Sequence, residues 1–224
     1  MKRGRRHNPF SVQFLGPENI EYHFAEGDSL EALLTRLDVA RWRASFVGPH
    51  GAGKSTLLRT VRRVAHERGR RTILFQCNDH RRWLPIDWIF VVMGAEIVFL
   101  DGGEQLIAPQ LHLLQALCRI AGKGLLQTTH VVGTWGDQIA VSASAAQLHS
   151  VIERVAAPKG VLVDLEEAAK CLQEAGGDAR EALFALYREY EDGLLRQAFP
   201  LNNPRRSGIK NTLHATSGAR HDAG

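Results

Sequence analysis

The sequence predicts an α/β fold: a five-stranded, mostly parallel sheet with helices on both faces, followed by a small helical lid and a disordered tail. Three observations carry this expectation. Gly48-Pro49-His50-Gly51-Ala52-Gly53-Lys54-Ser55-Thr56 fits G-x-x-x-x-G-K-[ST], a phosphate-cradling loop, with an apolar run before it and a helical stripe after it. Short apolar runs then alternate with amphipathic stretches, which is the pattern of parallel strands covered by helices. From residue 143 onward only helical periodicity remains.

Along the chain, Phe10 to Phe24 alternates loosely around Gly16-Pro17 and reads as a short strand or hairpin. Asp28-Ser29-Leu30-Glu31 is a capping-box signal that opens a helix carrying Leu30, Leu33, Leu34 and Leu37. Arg43 to Val47 reads as the strand that feeds the glycine-rich loop. The helix beyond it places Leu57, Leu58, Val61, Val64 and Ala65 on one face and stops near Gly69. Its other face holds Arg59, Arg62, Arg63 and Arg68, read here as solvated. Arg71 to Cys77 is the second strand. Residues 83–93 are apolar and expected to be mostly helical, with Pro85 at the helix start.

Glu96-Ile97-Val98-Phe99-Leu100-Asp101 has the continuous apolar character of a buried parallel strand, closed by an acid. Pro109 sits at a first helical position, ahead of Leu111, Leu114, Leu117, Cys118 and Ala121. Leu125 to His130 is the fourth strand and Gln138 to Val141 the fifth. In the later segment, Ser144 to Gln147 forms a capping box, a second helix spans Leu165 to Ala175, and Asp178 caps a third after Gly176-Gly177. The divisions are therefore a basic disordered arm over 1–8, a nucleotide-binding core over 9–142, a helical lid-like segment over 143–195 and a disordered basic tail over 196–224.

The chain has 224 residues and a net charge of +4. Residues 1–8 carry Lys2, Arg3, Arg5 and Arg6, a net +4, and residues 201–224 carry a net +3. Taking both from the whole leaves −3 for residues 9–200, so the basicity belongs to the two ends. Such ends can touch nucleic acid or an acidic partner, but solvated disorder is the simpler reading and nucleic acid is not favoured. No run approaches the roughly 18 apolar residues of a membrane helix, and no apolar segment follows the basic start as in a secretory signal. Cys77, Cys118 and Cys171 stand far apart without a C-x-x-C, as buried thiols in a reducing cytoplasm would.

The chemistry follows from the loop. Gly48, Gly51, Ala52, Gly53, Lys54, Ser55 and Thr56 are the expected nucleotide-binding residues. Glycines let successive N–H groups turn inward, Lys54 reaches the β/γ-phosphates, and the Ser55 hydroxyl holds Mg²⁺. Asp101, an acid at the end of an apolar strand, is the Walker B partner that completes the metal shell with Ser55. Gly102 and Gly103 follow, so Glu104 is the first acid that a curled chain can aim at an attacking water; an ordinary surface turn is the equal alternative. His130, at the tip of strand four, is placed to sense the γ-phosphate, against the alternative of a solvent-facing side chain. Lys54, Asp101, Glu104 and His130 are thus the candidate catalytic set.

These features resemble the additional-strand branch of the P-loop NTPase superfamily, which includes the AAA+ and ABC-type ATPases. Leu126 to His130 looks like the histidine switch of ABC ATPases. Gly177-Asp178-Ala179-Arg180 looks like the second-sensor helix of AAA+ lids, a resemblance that makes Arg180 a γ-phosphate contact. No ABC-type signature precedes Asp101, the Lys54 to Asp101 interval is too short for an ABC domain, and no AAA+-type arginine finger is assignable. Residues 8–195 are also similar to small bacterial ATP-binding proteins of unassigned function, sharing Asn8-Pro9-Phe10, Gly48-Pro49-His50 and Asp101 to Leu106.

The expectation is a cytoplasmic Mg-ATP-binding protein, an ATPase acting as a slow switch on an unknown protein partner. Two alternatives stay open: a non-hydrolysing nucleotide-dependent binding module, and a small-molecule phosphotransferase using Arg81, Arg82 and Arg180. A GTPase is disfavoured, because no Asn/Thr-Lys-x-Asp base-reading segment follows the core strands.

Overall fold

The computed structural model describes residues 8, 10, 22–24, 27–192 and 195. The expected arm over 1–7, nearly all of the expected hairpin between 10 and 24, and the tail from 196 lie outside the described residues; Tyr22 to Phe24, which are described, form no strand.

Helix α1 (Leu30–Val39) delivers the chain to β1 (Arg43–Val47), and the glycine-rich loop leads into α2 (Lys54–Glu67). Then come β2 (Thr72–Gln76), α3 (Trp88–Gly94), β3 (Ile97–Asp101), a 3-10 turn over Gly103–Gln105, α4 (Ala108–Ile120), β4 (Gly124–Thr129) and β5 (Asp137–Ala140). Three further helices follow: α5 (Ala145–Ala156), α6 (Leu165–Glu174) and α7 (Ala179–Glu191).

The sheet order is β2-β3-β4-β1-β5, and every neighbouring pair is parallel. Strand β4 therefore lies between the strand that feeds the loop and the strand that ends in Asp101. Alternation along β3 divides its side chains between two cores. Ile97 and Phe99 pack with Leu58, Val61 and Leu37 of α2 and α1; Val98 and Leu100 pack with Trp88 and Val92 of α3 and Leu114 and Cys118 of α4. Helices thus cover both faces, and every strand carboxyl end opens on the same rim.

The helical segment has its own core, in which Leu148, Ile152, Ala168, Leu172, Ala182 and Leu186 interdigitate. Its caps form as the sequence requires. Ser144 and Gln147 make both bonds of the capping box, and Asp178 accepts from the N–H groups of Arg180 and Glu181.

Five expectations differ from the structure. Ser29, not Asp28, caps α1, accepting from Ala32 N–H at 3.1 Å. Helix α3 begins three residues after Pro85, because the Leu84 N–H is spent on Gln110 Oε1 at 2.9 Å and the Pro85 carbonyl closes a turn with Trp88 N–H at 3.0 Å. Arg59 is not on a solvated face: its side chain is 22% exposed and its guanidinium stands 3.9 Å from Asp101. Asn8, placed at the end of the basic arm, is buried, and its amide donates to the Tyr187 carbonyl at 3.0 Å and to Glu191 Oε1 at 2.8 Å. Phe10, assigned to the nucleotide-binding core, is wholly buried in the helical cluster, edge-on to Tyr190 at 6.4 Å.

This last contact makes a test. Phe10→Ala should cost about 3–5 kcal/mol, the usual cost of emptying a buried aromatic site. Hydrogen exchange should show the loss of protection in α5 to α7, with β1 to β4 unchanged.

Candidate functional site

The loop is held in shape by the sheet. Gly48 N–H donates to Thr129 O at 3.3 Å, and Val141 N–H donates to Val47 O at 2.7 Å. A Cβ on Gly48 would lie 2.0 Å from the Val141 carbonyl oxygen, so β5 excludes any side chain there. Gly53 adopts φ +88° as the N-cap of α2, a left-handed conformation costly for other residues, and the Tyr22 ring lies against it. Ala52 is buried beside the loop, while Lys54, Ser55 and Thr56 are the first three residues of α2. The unpaired N–H groups and positive end of that helix therefore face the strand rim.

Lys54 is 7% exposed and curls back over the loop. Its Nζ donates to Gly48 O at 2.7 Å and to Pro49 O at 2.6 Å, and lies 3.1 Å from His130 Nδ1. An ammonium has three N–H donors, and all three are directed within the protein. Burial holds the Lys54 pKa below the usual lysine value, opposed by the charges of Glu104, Asp101 and Asp178.

Asp101 ends β3 within reach of α2. Ser55 Oγ donates to Asp101 Oδ1 at 2.7 Å, Thr128 Oγ1 donates to the same oxygen at 3.0 Å, and Thr128 Oγ1 accepts from Gly102 N–H at 2.8 Å. Because β4 is the strand between, its tip reaches both sides: Thr128 to Asp101, and His130 to the loop. The two glycines after Asp101 do curl the chain. Gly102 adopts φ +80°, a Cβ there would meet the Cys77 carbonyl at 2.6 Å, and Gly103 packs against Thr128 O. This turn brings Glu104 to His130, with Oε1 3.1 Å from Nε2. A Nε2–H donating to Glu104 leaves Nδ1 as the acceptor for Lys54. Burial pushes the neighbouring Cys77 thiol up to about 11, which keeps it protonated near neutral pH.

The structure thus gathers Lys54, Ser55, Asp101, Glu104 and His130 at one rim. It does not bring Arg180 into contact with them: that side chain is exposed, and the backbone N–H of the residue donates to Asp178 Oδ1 at 2.8 Å. The residue of the same helix start that meets the loop is Asp178, whose Oδ1 lies 1.8 Å from where a Cβ on Gly51 would stand. Three other neighbours were not picked out by sequence. His50 stacks on His130, with ring centroids 3.8 Å apart, Arg59 faces Asp101, and Thr128 bridges Asp101 to Gly102. Thr128 had a signal, standing in the polar run Thr128-Thr129-His130 at the tip of β4. His50 and Arg59 had none beyond their positions in the loop and helix.

Ser55 and Asp101 offer a hydroxyl and a carboxylate oxygen side by side, a hard-oxygen donor set that fits Mg²⁺. Among the described residues no three His, Cys, Asp or Glu side chains are grouped to hold a metal by themselves.

No family model matches the sequence, and no curated protein matches it. Solved structures do resemble the fold. A point mutant of Thermotoga maritima RuvB aligns with a TM-score of 0.54 at 17% identity, covering 73% of this chain and 62% of RuvB. AMPPCP-bound DnaA from Aquifex aeolicus aligns with a TM-score of 0.56 at 14% identity, covering 80% of this chain and 65% of DnaA. The replication initiator DnaA bound to AMPPCP and single-stranded DNA aligns with a TM-score of 0.55 at 14% identity, covering 79% and 65%. The chain spans less than two thirds of the length of each of these proteins. What they share with it is the fold.

Glu104 supplies a test by titration. Its carboxylate does the most among the nearby charges to support the Lys54 ammonium, so Glu104→Gln should move the Lys54 pKa further down, read from the lysine ε-carbon resonance. In the wild type, a lysine held below its unfolded pKa binds fewer protons when folded. Its contribution to stability therefore rises with pH as the pH passes from the folded value toward 10.5, the ordinary value.

Proposed function

We propose that this chain binds Mg-ATP at the rim around Lys54 and hydrolyses it slowly, as a switch in which the helical segment acts as a lid. The observation that carries the reading is the meeting of five side chains from four elements: Lys54 and Ser55 on α2, Asp101 at the end of β3, Glu104 on the glycine turn and His130 after β4. The fold shared with AMPPCP-bound DnaA supports the choice of nucleotide.

In this reading the triphosphate takes over the donors that Lys54 directs at Gly48 O and Pro49 O, and the loop N–H groups from Gly51 to Ser55 complete the cradle. Ser55 and Asp101 would hold Mg²⁺, which when bound neutralises charge on the phosphate oxygens. His130, released by Lys54, is free to turn its Nε2–H from Glu104 toward the γ-phosphate, and that same move releases Glu104. Glu104 then accepts a proton from the attacking water. The lid responds through α7: Asp178 lies against Gly51, so a phosphate entering the loop meets a carboxylate and favours its displacement. Rotation of the start of α7 that turns Asp178 off the loop would bring Arg180, two residues along, round toward the γ-phosphate. The three cysteines are free, which accords with a reducing cytoplasm, and no helix among the described residues is long and apolar enough to cross a membrane. Any role of the basic ends toward nucleic acid falls outside the described residues.

A second reading has its own observation. Glu104 is held by His130 at 3.1 Å. If that bond persists over bound nucleotide, no base addresses the water and the protein is a non-hydrolysing binding module.

Mutants separate the readings. Lys54→Ala should weaken Mg-ATP binding by roughly 100-fold or more, the loss of charge-assisted hydrogen bonds. Glu104→Gln should retain binding and lose about 10²-fold or more in phosphate release. Wild-type protein that binds ATP without releasing phosphate would select the binding module; Glu104→Gln with unchanged turnover would remove Glu104 from the mechanism.

A further inference from the structure

Helix α3 is apolar all round, and only one side of it is covered. Trp88 and Val92 are buried against Leu84, Leu114 and Cys118. On the opposite side Ile86 is fully exposed, Phe90 is 82% exposed, and Met93, Ile89 and the preceding Trp83 are 50%, 44% and 64% exposed. Ile89, Phe90 and Met93 lie on one side of the helix, at the i, i+1, i+4 spacing of neighbours on a helical face, and Ile86 in the turn before it extends the same apolar surface. A helix apolar on every side belongs in an interior, so the open side calls for a partner.

Size and charge identify that partner. Trp83 and Phe90 contribute on the order of 300 Å², and the whole face roughly 600–700 Å². That exceeds what a typical monomer leaves exposed and approaches the ~800 Å² that each partner gives to a standard interface. The surroundings do not attract a polyanion, because Arg81 and Arg82 are balanced by Asp79 and Asp87. The two ends of the helix carry opposite signs. Asp87 is exposed at the N-terminus and makes no side-chain cap bond, while the Lys123 ammonium sits at the C-terminus, donating to Met93 O at 2.8 Å and Ala95 O at 2.5 Å. Two copies packed antiparallel along this stripe would set Asp87 of each beside Lys123 of the other. A two-fold contact of this kind is self-complementary without any second surface.

We propose that the exposed stripe of α3 is a docking surface for a second copy of this chain, joined antiparallel about a two-fold axis near Phe90. The inference does not depend on nucleotide binding. Light scattering on the full chain in the micromolar range should give the mass of a dimer. Phe90→Asp and Ile86→Glu, both at exposed positions and expected to keep the wild-type melting temperature, should each halve that mass. Leu165→Asp, at an exposed apolar position outside the stripe, should leave the dimer intact. Phe90→Cys should cross-link to itself under mild oxidation by copper–phenanthroline. A monomeric wild type, or an assembly that survives both stripe substitutions, would overturn the proposal.

Discussion

Much of this site depends on where one ammonium spends its three hydrogen bonds. Lys54 is nearly buried, and a charge taken out of water persists only if its donors are satisfied. Gly48 O, Pro49 O and His130 Nδ1 supply those partners, so one side chain ties the loop to the tip of β4. Through His130 the tie extends to Glu104 and the turn after Asp101. The same ammonium would answer an incoming phosphate first, and any change in its bonds must be felt by His130 and Glu104. That short chain of contacts is the one the proposed switch would use.

The sheet makes this economy possible. Placing β4 between β1 and β3 lets a single strand end send Thr128 to Asp101 and His130 to the loop. Glycines are used where backbone or carboxylate comes too close for a side chain, at Gly48 against Val141, Gly51 against Asp178 and Gly102 against Cys77. The contact between Gly51 and Asp178 is where the helical segment meets the loop. The acid belongs to a helix cap, so moving it disturbs the start of α7 rather than a free side chain.

Strands and helices with clear periodicity could be read from the sequence because local propensity and burial agree there. β3 is apolar on both faces because helices cover both, and the capping box at Ser144 and the cap at Asp178 are local hydrogen-bond chemistry. The meeting of Lys54, Ser55 and Asp101 was legible because the motif spacing and strand ends already implied it. What could not be read is tertiary. Nothing near Asn8 or Phe10 announces that their partners lie about 180 residues away on α7. Arg41 and Trp42 adopt left-handed conformations with φ of 54° and 57°, required because the Trp42 ring is buried and its N–H bonds Asp38 at 2.7 Å. Arg59 belongs by periodicity to the polar side of α2, and only the position of β3 shows that this side faces Asp101.

A structure with a non-hydrolysable ATP analogue and Mg²⁺ tests the account at its centre. The prediction is that Lys54 Nζ leaves Gly48 O and Pro49 O for oxygens of the β- and γ-phosphates, with Ser55 and Asp101 turned to the cation. An analogue bound elsewhere, or Lys54 still bonded to those two carbonyls with the nucleotide in place, would contradict it.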